Sequence, residues 1–89
     1  MMRKKTPEEL AEALLLPPEA VAGSERVMLR GRGCAVVENH RGLLGYDPGA
    51  VEVRVFRGRV RILGRELVIH AMDTRTLIVT GQIAAVEYA

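Results

Sequence analysis

The chain has 89 residues, 48% of them apolar and 27% charged, enough for one folded domain and incompatible with a disordered tail. No apolar run approaches the roughly 20 residues of a membrane helix, and one cysteine, Cys34, excludes a disulfide framework or a cysteine-based zinc cluster. Thirteen basic against eleven acidic residues leave +2 and a pI near 9.1, too small an excess to predict nucleic-acid binding by itself.

The chain divides at Pro17-Pro18. Before it, Thr6-Pro7-Glu8-Glu9 opens a helix: Thr6 caps, Pro7 suits the first helical position, and Glu9 completes a capping box. Leu10 and Leu14, with Ala11 and Leu15, recur at four-residue spacing and form an apolar stripe. Pro17 disfavours helical geometry at Leu16, so the helix runs about ten residues and is marginal alone. Residues 1–22 are therefore expected as a helical segment that docks on something else, and residues 23–89 as the folded domain. The opening lacks the apolar core of a secretory signal, so a cytoplasmic location is expected.

After Gly23 short valine, isoleucine and leucine runs alternate with glycines, which is hairpin spacing. Val27–Arg30 and Cys34–Glu38 form a first hairpin about Gly31-Arg32, with Leu29 opposite Cys34 in the core. Tyr46-Asp47-Pro48-Gly49 is turn chemistry. A two-residue turn at Arg57-Gly58 pairs Val55 with Val60 and Val53 with Ile62, leaving Arg54 and Arg61 on the opposite face. Further turns at Gly64-Arg65, Asp73-Thr74 and Gly81-Gln82 divide residues 51–88 into about five strands. The expected fold is all-β, a small antiparallel sandwich or barrel-like meander. Leu67–Ile69 and Leu77–Val79 are apolar on both faces. A second copy is the expected cover, giving a dimer with Val68, Val79 and Val86 at its interface.

Two groups of residues attract a functional reading. Glu38-Asn39-His40-Arg41-Gly42 sets a histidine near a carboxylate, as a general base requires, yet no nucleophile accompanies it. An architectural bend is the expectation, with Asn39 and Gly42 in left-handed or turn geometry. Arg54, Phe56, Arg59 and Arg61, with His70 beside them across the Gly64-Arg65 turn, outline a basic face with one aromatic. A single-strand nucleic-acid platform normally shows two or three aromatics, so a solvated or partner-facing surface relieved by Glu52 and Glu66 is the expectation, with a nucleic-acid-binding β module using this arginine face as the alternative. No catalytic, cofactor or metal residues are expected, and the chain is not expected to be an enzyme.

Four stretches carry a family resemblance: Leu16–Val21, Glu38–Leu44, Gly58–Gly64 and Leu77–Ile83. Across about residues 14–88 the sequence resembles the YabP/YqfC family of sporulation proteins, and the YqfC branch more closely, with Glu38–Gly42 the most specific piece. The resemblance implies a compact β-sandwich-like domain made during sporulation. It also implies a non-enzymatic role beside other sporulation proteins, one of them membrane-bound, without insertion of this chain into the membrane. No cofactor comes with the family.

Overall fold

The computed structural model describes residues 23–89, which form six antiparallel strands. They are β1 (Arg26–Arg30), β2 (Cys34–Glu38), β3 (Leu43–Asp47), β4 (Ala50–Val55), β5 (Gly58–Met72) and β6 (Thr76–Tyr88). Their spatial order is β1-β2-β6-β5-β4-β3. The all-β class is as expected, but the strands lie in one open sheet rather than in the two stacked sheets of a sandwich or a closed barrel. The expected N-terminal helix and the whole segment 1–22 lie outside the described residues.

The difference arises at two glycines. Gly64 and Gly81 were expected to reverse the chain, yet β5 and β6 run straight through them as strands of 15 and 13 residues. A Cβ on Gly64 would overlap the carbonyl of Gln82. A Cβ on Gly81 would lie 2.5 Å from the Glu66 carbonyl oxygen and 2.9 Å from Leu67 Cα. These glycines therefore serve close approach between two strands, the other common reason for glycine inside a strand. Register shifts at Leu63/Gly64 and between Arg65 and Val68 mark bulges here, with Glu66 at φ 53°. The β1–β2 and β3–β4 turns close on the same region: Ile83 N donates to Arg32 O, and Leu67 N to Pro48 O.

Bulges also change which residues face inward. Before the bulge the even-numbered Val60 and Ile62 of β5 are buried; after it, Leu67 is. Both ends of the long hairpin thus feed one aliphatic cluster, joined by Ala35 and Val37 of β2 and by Val51, Val53 and Val55 of β4. Leu67–Ile69 and Leu77–Val79 still carry apolar residues on the opposite face, where Val68 is exposed and Ile78 half-buried. Val79 is wholly buried within the chain and has no surface to offer a second copy, Val86 packs against the core, and Val68 is exposed.

The shorter hairpins show how register propagates. The β4–β5 turn is Phe56-Arg57, one residue before the expected position, pairing Val53 with Val60 and Val51 with Ile62. Moving a turn by one residue slides the pairing by two, so the faces are preserved and Arg54, Arg59 and Arg61 stay opposite the core. The β1–β2 turn instead takes three residues and pairs Leu29 with Ala35. That odd slip exchanges faces: Ala35 and Val37 fill the core and Cys34, expected there, is only half-buried. No strand was expected at Leu43–Asp47, which forms the edge strand β3.

Candidate functional site

The Glu38–Gly42 run leaves β2 and crosses to β3. Asn39 adopts left-handed geometry at φ 63° and Gly42 lies at φ 126°, so the two ends of the crossing turn as the residue types require. Asn39 Nδ2 donates to Ser24 O at 3.1 Å, fixing the approach to β1. Arg41 N donates to Arg54 O at 2.7 Å, and Arg54 N donates to Gly42 O at 2.8 Å, fixing the end of β4.

His40 sits at the centre and is 5% exposed, the one buried polar residue among those described. Its backbone N donates to Arg75 O at 3.1 Å. The Gly42 amide donates to Nδ1 at 3.0 Å, which makes Nδ1 the acceptor and leaves the ring proton on Nε2. Nε2 then donates to Asp73 O at 2.9 Å, in the β5–β6 loop. Both ring nitrogens are occupied by backbone groups, so the imidazole acts as a clamp between two loops 33 residues apart in sequence. An open groove of about 790 Å³ runs alongside, bounded by Arg41, Leu43, Met72 and Arg75.

Asp73 is the partner the sequence reading missed. Its Oδ1 accepts the amides of Arg75 at 2.8 Å and Thr76 at 2.6 Å, a carboxylate-capped turn whose Asp-x-Arg-Thr spacing is legible in retrospect. The Arg75 amide above all, then the Thr76 amide, holds the carboxyl below its ordinary value of 3.8. A depressed folded-state pKa contributes stability that is full above the unfolded value and disappears as pH falls through the folded one. Asp73→Asn keeps an acceptor oxygen but loses the charge. Its deficit in urea midpoint relative to the native chain should therefore be larger at about pH 6 than at about pH 2. An equal deficit at both values would contradict this role.

The arginine face divides in two. Glu52 takes Arg59 Nη1 at 2.8 Å and Arg61 Nε at 3.2 Å, and Glu87 takes Arg61 Nη1 at 3.4 Å. Glu66, expected to relieve this face, instead accepts from Gln82 Nε2. Phe56 stands in the β4–β5 turn with the guanidinium carbons of Arg41 and Arg57 at 5.1 and 5.6 Å from its ring centroid. His70 is not beside these groups. With no turn at Gly64-Arg65, it lies eleven residues down β5 from Arg59, on the far side of the bulges. Glu38 makes only an exposed 4.0 Å contact with Arg26.

The two edges of the sheet differ. β1 begins and ends in arginine, Arg26 and Arg30, which discourages strand addition. All five residues of β3 are exposed, and Leu43, Leu44 and Tyr46 stand there without a basic residue or proline. Among the described residues no three His, Cys, Asp or Glu side chains gather as a metal ion would require, and no helix is long and apolar enough to cross a membrane.

A model of the YabP family matches residues 21–89. The chain is 33% identical over 79 residues to the Bacillus subtilis (strain 168) protein named "Uncharacterized protein YqfC", covering 89% of this chain and 85% of that one. No solved structure matches.

Proposed function

The chain belongs to the YabP family, and from that premise we propose that it is a non-enzymatic assembly module of spore formation, an adaptor that docks a protein partner onto its sheet. A membrane-bound sporulation protein is the partner this reading favours. The observation that carries it is the β3 edge. It is a fully exposed, terminal strand bearing Leu43, Leu44 and Tyr46, and it lacks the charges that guard β1. Such an edge accepts an extended segment by main-chain pairing, with neighbouring side-chain pockets supplying selectivity. The Glu38–Gly42 run supports the same reading from another direction. Its backbone, with the Asn39 and His40 side chains, is taken up in holding β2, β3, β4 and the β5–β6 loop together.

The test is Leu44→Lys, at a position 43% exposed and skipped in the β3–β4 register. Stability should change by only about 0.5 kcal/mol, since the side chain is half in solvent. Heat-resistant spore yield in a sporulating host carrying this variant should fall at least about tenfold, because a buried ammonium at a docked edge costs more than 1.4 kcal/mol. A folded Leu44→Lys protein that supports full spore yield would contradict the adaptor reading.

A further inference from the structure

We propose that the tip of the β4–β5 hairpin, beside the start of β3, is a seat for an anionic lipid surface, a reading independent of the adaptor role. Phe56 and Arg57 are the two residues of the turn itself, and both are exposed. Arg41 and Arg57 flank the Phe56 ring, and exposed Arg54 precedes it on β4. Further along the same hairpin Arg59 and Arg61 are neutralised by Glu52 and Glu87. Arg41, Arg54 and Arg57, by contrast, have no carboxylate partner among the described residues. Three arginines without a carboxylate partner thus gather at the turn end of this hairpin, around one partly exposed aromatic.

The shape selects among anionic partners. A protruding turn suits a flat surface, where an aromatic ring settles at headgroup depth and arginines meet phosphates. An acidic peptide would prefer a groove or a sheet edge, which this tip is not. A nucleic-acid strand would want further aromatics beside Phe56 for successive bases, but Tyr46 is bonded to Leu67 O through its hydroxyl and Tyr88 pairs with Val60 on the opposite, core-side face. Each basic residue near an anionic bilayer strengthens binding about fivefold, so three together contribute roughly 100-fold.

Vesicle flotation of the full chain tests this, comparing phosphatidylcholine alone with phosphatidylcholine containing about 30% phosphatidylglycerol at low salt. Binding should require phosphatidylglycerol and weaken as salt rises. Replacing Arg41, Arg54 and Arg57 together by glutamine should weaken it roughly 100-fold. The same loss of charge at Arg30, Arg32 and Arg65, compared at about 0.1 M salt where the screening length is about 10 Å, should change it about threefold or less: Arg65 lies seven residues along β5 from Gly58, about 20 Å away. Arg57→Gln alone, fully exposed in the turn, should cost about fivefold and gives a readout if the triple variant does not fold. Leu44→Lys should keep vesicle binding, so the two surfaces fail separately. Equal losses from both triple variants, equal binding to phosphatidylcholine alone, or tighter binding to a thymidine oligonucleotide than to the anionic vesicles would each overturn the proposal.

Discussion

Gly81→Val is expected to remove about 4 kcal/mol or more of stability, leaving the fold marginal at room temperature. Two costs coincide at this position. Its φ of 131° lies where side-chain-bearing residues are strained by about 1–3 kcal/mol. Its Cβ would also meet the Glu66 carbonyl oxygen and Leu67 Cα, backbone atoms of the neighbouring strand that cannot rotate aside. Relieving that overlap must part β6 from β5 at the bulge, where Leu67 leads into the core and Gly81 N donates to Gly33 O. Together these should remove about 4 kcal/mol or more, against a total of about 5–10 kcal/mol for a domain of this size. Circular dichroism and urea titration measure it directly. A cooperative unfolding transition within about 1 kcal/mol of the native chain would show that β5 and β6 do not cross so closely.

His40→Ala is expected to destabilise the chain by about 3 kcal/mol without abolishing its fold. The substitution leaves the Gly42 amide and the Asp73 carbonyl without their partners and opens a void where the ring was buried. An unpaired buried backbone group costs about 1–3 kcal/mol, and water entering the void recovers part of it. The damage should be local as well as global. Amide exchange at Gly42 should accelerate ahead of the core amides of β4 and β6, because the clamp between the two loops opens first. Unaltered exchange at Gly42 together with an unchanged urea midpoint would remove His40 from its structural role.

Much of this architecture was legible in residue order. The Val53–Ile62 alternation identified the buried face even though its turn was misplaced by one residue, because a two-residue slide leaves side chains where they were. Asn39 and Gly42 read correctly as backbone-directing residues for the same local reason: their conformational preferences need no tertiary partner. What failed was the distinction between a glycine that turns the chain and one that admits a neighbouring backbone. Gly64 and Gly81 look alike in both roles, and the carbonyls of Gln82 and Glu66 that decide the matter lie 18 and 15 residues away. From that single ambiguity came the extra strands, the two-sheet expectation and the placing of His70 beside Arg59. The burial of His40 was hidden for a related reason, since its partner, the carbonyl of Asp73, is a backbone atom that no side-chain pattern announces. The second carboxylate on Arg61 was hidden likewise, since Glu87 reaches it only through the β5–β6 pairing.

The central claim is that the His40 ring and the backbone of Glu38–Gly42 hold the fold while function resides on the exposed edge and tip. Spore yield from cells carrying His40→Ala, grown at a temperature low enough for the variant to be folded, tests it most directly. Restoration to the native yield is the predicted result, since a folded variant presents β3 and the β4–β5 turn unchanged. Failure to form spores with a soluble, fully folded His40→Ala protein would contradict the claim and place the chemistry at the imidazole.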